Sequence, residues 1–239
     1  MKHVVRPRPW SPPRSAFAGF RFPADVIVVA IRWYLRYGLS YRDVEELLAE
    51  RGIEVDHVTV YRWVVRFTPL LAEVARPCRH QVGDRWQVDE TYVKVAGRWR
   101  YVYRAIDQAG QVIDVFASSR RDSACARRFF QRALSTSKTT PREVTTDLAP
   151  TYPMVLEELL PSVWHRTDRY ANNRIEADHG RLKARLRPMR GLKPDRSARV
   201  IIAGHAFVQN LRRGHYELAV EEPVNRRLAV AFDELALAI

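Results

Sequence analysis

Three acidic residues have types and positions that suit metal-dependent chemistry. Asp89 lies inside an apolar, strand-like run, W-Q-V-D-E-T-Y, where an unpaired charge would cost several kcal/mol. Asp147 ends the run E-V-T-T-D, and Glu176 lies at the start of the helical run N-R-I-E-A-D-H-G-R-L-K. Carboxylate oxygens are the ligands preferred by Mg²⁺, for which Mn²⁺ can substitute. Two such ions about 4 Å apart promote in-line displacement at a phosphodiester. Any one of these acids alone is more simply a solvated or capping residue, but the three together predict a phosphodiester-cutting site.

Other common catalytic chemistries lack their motifs. Cys78 and Cys125 are far apart and form no C-x-x-C pair, so a zinc site is not expected. The chain has neither the G-x-x-x-x-G-K-[ST] motif of a nucleotide cradle nor the G-x-S-x-G motif of a serine nucleophile. We therefore expect no nucleotide cofactor and no covalent serine intermediate.

An excess of basic residues favours a polyanionic partner. Forty Lys and Arg against 27 Asp and Glu leave a net charge of +13. Lys183 follows Glu176 by two helical turns, which places a cation about 10 Å along the same helix face. The segment also carries further arginines that predict a DNA-facing ridge: Arg181, Arg185 and Arg187. A solvated basic helix is the alternative interpretation.

The elements around the acids predict a ribonuclease-H-like α/β fold, a mixed sheet with helices on both faces. From Asp84 the apolar pattern has a period of two over three runs with turns at Ala96-Gly97 and 107–110, which predicts an antiparallel meander. A helix opening at Asp122, a short strand, a short helix, a strand and a strong helix follow in that order. In this topology the first and fourth strands are neighbours, so Asp89 and Asp147 should meet.

The last helix of this series should bring the third acid. Its packing stripe is predicted to be Ile175, His179, Leu182 and Leu186. Glu176 flanks that stripe beside the sheet edge, and we expect the carboxylates of all three acids to lie within about 4–7 Å of one another. In a structure without metal and DNA, which draw the glutamate in, Glu176 can lie farther away. Residues two apart on a helix differ by about 200°, so only one of Glu176 and Asp178 can face the site.

Three helical patterns precede the sheet. Residues 24–37 form the first, a capping box at Ser40 and Asp43 starts the second, and Asp56 caps a third that we expect to end at Pro69. The second and third, joined by a turn containing Gly52, predict a helix-turn-helix. The expected DNA-contacting residues of the third helix are His57, Thr59, Tyr61, Arg62 and Arg66. An ordinary helical hairpin remains the alternative.

These patterns divide the chain into four parts. Residues 1–21 are predicted to be a basic flexible arm, 22–80 a small all-α helix-turn-helix domain, 81–215 the catalytic domain and 216–239 a helical tail. The tail spacing of Leu228, Ala231 and Leu235 indicates an amphipathic helix that docks or dimerises. No apolar run approaches the roughly 20 residues of a membrane helix, so no membrane partner is expected and a cytoplasmic location, at the nucleoid when active, is favoured.

Several stretches together make the chain resemble bacterial insertion-sequence transposases of the family called insertion sequence six, over about residues 22–218. The matching stretches are R-W-Y-L-R-Y-G-L-S-Y-R-D-V-E-E-L-L, V-D-H-V-T-V-Y-R-W, W-Q-V-D-E-T-Y-V-K-V, Y-R-A-I-D, T-D-x-A-P-x-Y, N-N-R-I-E-A-D-H-G-R-L-K and G-H-A-F-V-Q-N-L-R.

The resemblance implies a function for these residues. The family's catalytic triad falls on Asp89, Asp147 and Glu176, and its trailing basic residue falls on Lys183. It also implies Mg²⁺-dependent cleavage at terminal inverted repeats, attack of the freed 3′-hydroxyl on double-stranded target DNA, replicative movement through cointegrates, and action as a homo-oligomer, a dimer or larger.

The sequence departs from the family pattern at two places. The interval 148–175 between Asp147 and Glu176 is shorter than in many members, which indicates a sub-branch. Leu148 replaces the lysine that many relatives carry after the second acid. Two other functions stay open at this point: a helix-turn-helix regulator with an inactive nuclease-like domain, and a cellular ribonuclease H or junction nuclease.

Overall fold

The computed structural model describes residues 15–168, 172–189 and 191–239. Its helices are α1 (Ala24–Arg36), α2 (Tyr41–Ala49), α3 (His57–Val74), α4 (Ser123–Ser137), α5 (Thr151–Leu159), α6 (Asn173–Leu186), α7 (Asp195–Arg213) and α8 (Val224–Leu237). Its strands are β1 (Arg85–Val95), β2 (Arg98–Asp107), β3 (Val112–Ser118), β4 (Glu143–Thr145) and β5 (Trp164–Arg166). A search of the described residues finds no helix with the length and apolarity needed to span a membrane.

The five strands form one mixed sheet in the order β3-β2-β1-β4-β5. A tight turn at Ala96 and Gly97, both at positive φ, joins β1 to β2 and gives the antiparallel twist such hairpins need. Strand β4 runs parallel to β1 with Gln87 opposite Thr145. Extending this register by two residues sets Asp147 beside Asp89, the adjacency that the predicted fold required.

Helices cover both faces of the sheet, so the predicted ribonuclease-H-like architecture is confirmed. On one face α4 and α5 pack against the strands through Phe129, Phe130 and Tyr152. On the other face α6 packs against β1 and β2, and α7 packs against β3. Burial of this apolar surface on both faces is the main stabilising contribution to the sheet.

The N-terminal helices pack into a second core that they share with α7 and α8. Buried members of this core include Tyr34, Trp63, Phe67, Ile201 and Phe232. The tail helix α8 packs against α1, with Leu228, Ala231 and Leu235 buried as the sequence spacing indicated. The tail therefore docks within its own chain.

The predicted end of the third helix at Pro69 is wrong. Helix α3 continues through Pro69 to Val74. Proline removes one backbone hydrogen bond from a helix interior, but Thr68 and Leu71 on either side are buried in the core, and that packing outweighs the local cost. The capping box at Ser40 and Asp43 that starts α2 is present.

The predicted N-terminal arm differs from the structure where it can be compared. Residues 1–14 lie outside the described residues. In the part that follows, Phe17 is buried and its ring stacks on Phe67 at 4.7 Å, while Phe20 contacts the same ring edge-on. Residues 15–21 are thus held by aromatic packing and do not form part of a flexible arm. The Arg/Pro-rich composition of the preceding residues gave no sign of this packing.

Candidate active site

Three carboxylates converge where β4 ends beside β1, a place that we call the β1–β4 edge. Asp89, Glu90 and Asp147 each offer an oxygen, and these oxygens lie within 4.8 Å of one another. The side chains of Asp89 and Glu90 are largely buried, whereas that of Asp147 is 43% exposed. Partly buried acids this close repel one another unless cations lie between them.

The local backbone fixes the two aspartates in different ways. Asp89 is in the middle of β1, where the antiparallel ladder sets it opposite Arg104 of β2 and its Oδ1 accepts the backbone N–H of Glu90 at 2.8 Å. Asp147 follows β4 in a turn where its Oδ1 accepts the backbone N–H of Ala149 at 3.1 Å. The Thr146 hydroxyl donates to the Asp147 carbonyl at 2.8 Å and contacts His165, which fixes the start of the turn.

Glu90 is the member of the cluster that sequence reasoning missed. Its carboxylate accepts a hydrogen bond from the Tyr152 hydroxyl on α5 and forms an ion pair with Arg121 in the β3–α4 loop. Burial raises the pKa of Glu90 above its usual range, against the lowering effects of Tyr152 and Arg121. The signal was available, since Glu90 is next to Asp89, but alternation along a strand directs neighbouring side chains to opposite faces.

Arg121 partly neutralises the cluster from the loop side. Besides its pair with Glu90, its guanidinium lies 3.8 Å from the Asp147 carboxylate. One cation beside three carboxylates leaves a net negative charge at the β1–β4 edge, and such a site attracts further cations.

Glu176 lies across a groove from the two aspartates. It is exposed on the first turn of α6 and lines, together with Asp89 and Asp147, an open cavity of about 1020 Å³. It is outside the 4.8 Å cluster, and among the described residues its carboxylate forms no ion pair. One turn further along α6, His179 Nε2 is 3.4 Å from Asp89 Oδ2.

Asp178 has a different role from Glu176. Its buried carboxylate pairs with Arg104 at 2.5 Å, with Arg181 at 2.8 Å and with Arg213. Although burial alone would raise the pKa of Asp178, Arg104 and Arg213 hold it below its usual range. Asp178 therefore fastens α6 to the sheet and to α7, while Glu176 faces the groove.

The predicted basic ridge along α6 is wrong in its geometry. Arg185 is buried and donates a hydrogen bond to the Tyr34 carbonyl, with its guanidinium 4.6 Å from the Tyr34 ring centre. Lys183 is exposed on the Glu176 side with its ammonium 4.9 Å from the Tyr92 ring, and Arg187 lies beyond the end of α6. Alternate residues of a helix differ by about 200°, so these side chains spread around the axis.

The five residues predicted to read DNA from α3 are not equally exposed. Arg62 and Arg66 are exposed, and Arg66 lies over the Phe20 ring at 5.4 Å. Tyr61 is half-buried and hydrogen bonded to Ser197 at 3.0 Å. The Thr59 hydroxyl donates to Asp56, and His57 contacts Glu45. Arg62 and Arg66 are thus the members best placed to reach a partner.

Comparison with known families defines the class of the protein: a DDE enzyme that cuts and joins nucleic acid. Residues 83–215, more than half of the chain, match the family model described as a DDE domain. The chain is 40% identical over 170 residues to the transposase for insertion sequence-like element IS431mec of Staphylococcus aureus, which covers 69% of this chain and 75% of that protein. It is 39% identical over the same length to the transposase for insertion sequence element IS257 in transposon Tn4003 of Staphylococcus aureus, with the same coverage.

The chain therefore belongs to the DDE transposases of the insertion sequence six family, which confirms the resemblance seen in its motifs. Two solved structures are also similar. The HTLV-2 integrase catalytic core domain in complex with magnesium is 22% identical, with a TM-score of 0.37 over 44% of this chain and 70% of that chain. The simian T-cell lymphotropic virus intasome is 16% identical, with a TM-score of 0.44 over 63% of this chain and 56% of that chain.

Proposed function

We propose that this transposase nicks the 3′ ends of its insertion sequence at terminal inverted repeats and joins them to target DNA. Asp89, Asp147 and Glu176 are the proposed ligands of two divalent cations, Mg²⁺ in the cell. The observation that carries the proposal is that these three carboxylates line one open groove at the β1–β4 edge. An open groove bordered by acids admits a strand of DNA together with the cations that bridge acid and phosphate.

The donor set fits a hard divalent cation. Oxygen ligands from carboxylates on a partly exposed edge leave room for the several waters that Mg²⁺ retains. When bound, such ions would activate the attacking oxygen and stabilise the leaving oxygen of a phosphodiester. Metal use is implied by the DDE domain itself; the choice of Mg²⁺ is part of the proposal.

The choice between Glu176 and Glu90 as third ligand rests on the partners of each. Both carboxylate oxygens of Glu90 are engaged, one by Arg121 and one by Tyr152. Glu176 is exposed and lacks an ion-pair partner in the described part of the chain, so its oxygens are available. Glu90 is then a supporting residue that, with Arg121, sets the charge beside Asp147.

Other side chains orient the reacting groups. His179 lies 3.4 Å from Asp89 and limits the rotation of that carboxylate. Lys183, two turns beyond Glu176 on the same face, is the proposed contact to a backbone phosphate of the strand being cut. Beside Lys183 the exposed rings of Tyr92 and Trp99 border a second groove.

The remaining parts of the proposal concern DNA recognition and assembly. Arg62 and Arg66 on α3 are the proposed readers of the terminal repeats, with His57, Thr59 and Tyr61 supporting the helix-turn-helix. The family resemblance supports replicative movement and action as a homo-oligomer.

Incubation with labelled terminal DNA tests the proposal. The purified protein should nick the 3′ end of each terminal repeat in Mg²⁺ or Mn²⁺, and the freed end should become covalently joined to added target duplex. Scrambled terminal sequence is the matched control. Sequence-specific binding without any nicking in either metal would instead identify a DNA-binding regulator with an inactive nuclease-like domain.

A further inference from the structure

A second cavity lies on the side of α6 opposite to the catalytic groove. It has a volume of about 590 Å³ and is bordered by the end of α1, by α6, by the C-terminal half of α7 and by Val224 at the start of α8. Arg181 and Arg185 are about 140° and 180° around α6 from Glu176, so the width of the helix separates the two cavities. The lining is strongly basic and includes Arg36, Arg181, Arg185, Arg212, Arg213 and His205.

Several residues that line this cavity carry buried polar atoms without hydrogen-bond partners. Arg185 is 95% buried, and its Nε and Nη1 have no hydrogen-bond partner among the described residues. His205 is 92% buried, and neither of its ring nitrogens has a hydrogen-bond partner among the described residues. Nε2 of the buried Gln209 also lacks a partner there. A buried donor without an acceptor costs about 1–3 kcal/mol, and native proteins rarely leave several in one place.

The charges around the cavity are also unbalanced. Asp178 is shared by Arg104, Arg181 and Arg213. In the described part of the chain, no carboxylate lies within ion-pair distance of Arg36, Arg185 or Arg212. Burial, followed by the nearby charge of Arg36, lowers the pKa of Arg212. The first turn of α8 adds the positive end of a helix dipole.

We propose that this pocket, lined by Arg185, His205 and Arg212, binds a backbone phosphate of DNA. A phosphate supplies the acceptor oxygens that the buried donors lack and the negative charge that the arginines lack, and the planar guanidinium matches its geometry. The inference rests on the proposed function in taking DNA as the substrate. Because α6 stands between the pocket and the groove, the bound phosphate belongs to a part of the DNA away from the reacting phosphodiester.

The salt dependence of DNA binding tests this inference. The variant carries Arg36→Gln and Arg212→Gln, two partly exposed arginines without acid partners, so the fold should survive. The control carries Arg127→Gln and Arg128→Gln on α4, which lower the net charge by the same two units on the other side of the sheet. Removing the interaction with one phosphate reduces the slope of log K against log salt by about 0.9.

Two measurements are made on the full chain. For the pocket variant we expect log K to fall less steeply with log salt than for the control, by about one unit of slope. Its affinity for duplex DNA should also be several-fold weaker than that of the control. Inorganic phosphate at constant ionic strength should raise the melting temperature of the parent and control, and that rise should be reduced in the pocket variant.

Equal slopes for the pocket variant and the control would overturn the assignment to DNA, even if inorganic phosphate stabilises the parent. Equal stabilisation by inorganic phosphate in all three proteins would overturn the phosphate site itself. Neither measurement requires strand cleavage, so failure of the pocket and failure of the catalytic proposal are distinguishable.

Discussion

Replacement of Asp178 by Asn should destabilise the protein strongly although Asp178 is outside the catalytic groove. Its side chain is 2% exposed and pairs with Arg104, which is fully buried, as well as with Arg213 and Arg181. Removing one partner of a buried ion pair leaves the other charge uncompensated and costs about 3–5 kcal/mol. The exposed Arg181 contributes little to this sum because solvent screens it.

Melting followed by circular dichroism measures the effect. For a chain of this length 1 kcal/mol shifts the melting temperature by roughly 2–4 °C, so we expect Asp178→Asn to melt about 6–20 °C below the parent. The exposed Asp233→Asn is the matched control. Replacing both Arg104 and Asp178, by Met and Leu, should recover most of the loss because the fully buried pair is removed as a whole, while the partly exposed Arg213 keeps its hydrogen bond to the Gly110 carbonyl. Melting of Asp178→Asn within about 2 °C of the control would refute the role of this cluster in fastening α6.

Three further predictions concern DNA reading, the third ligand and acid stability. Arg62→Ala with Arg66→Ala should weaken binding to terminal DNA by roughly several-fold to a hundredfold in gel shifts; unchanged affinity would remove α3 from this role. Glu176→Gln should melt like the parent without metal yet lose nicking; cleavage at the parent rate would contradict its ligand role. Burial and nearby arginines lower the pKa of His205 from 6.5 to about 3, so the stability tied to neutral His205 is present above pH 6.5 and is lost as pH falls. In urea denaturation, the free energy of unfolding of the parent should fall by about 2 kcal/mol more than that of His205→Gln when the pH is lowered from 7 to 5. The same change with pH in both proteins would disprove this. The charged groups around position 205 are the same in the parent and in the variant: Arg104, Arg185, Arg213 and Asp178.

The sheet and the two aspartates were predictable because their signals are local. Alternation of apolar residues identifies β1, β2 and β3, and the Ala96-Gly97 turn identifies the first hairpin. The element order is that of the ribonuclease-H-like fold, in which the first and fourth strands lie side by side, as they do here. The meeting of Asp89 and Asp147 follows from that adjacency.

Errors in the prediction of α3 and α6 arose where tertiary packing decides the outcome. Pro69 is a helix terminator by local rules, yet buried neighbours carry α3 past it. The predicted ridge failed because composition was read without helix periodicity, and Arg185 is buried against α1. A basic residue in sequence does not reveal whether its partner is solvent or a carbonyl from a distant helix.

The surroundings of the acids were not predictable because they join distant segments. Tyr152 and Arg121 reach Glu90 from α5 and from the β3–α4 loop. The pocket around His205 combines four helices from both ends of the chain. Such groupings have no sequence spacing of their own, so they become visible only when the packing of all elements is known.

The most direct test of the catalytic proposal is strand cleavage by Asp89→Asn across a Mg²⁺ titration. This change keeps the shape of the side chain and removes the charge that the metal would require. We expect no nicking of terminal DNA at any Mg²⁺ concentration, a smaller Mg²⁺-induced rise in melting temperature, and DNA binding equal to or slightly tighter than that of the parent. The half-buried Asp84→Asn, which removes the same charge outside the groove, should cleave like the parent. Nicking or joining by Asp89→Asn at the parent rate would contradict the account of the three carboxylates.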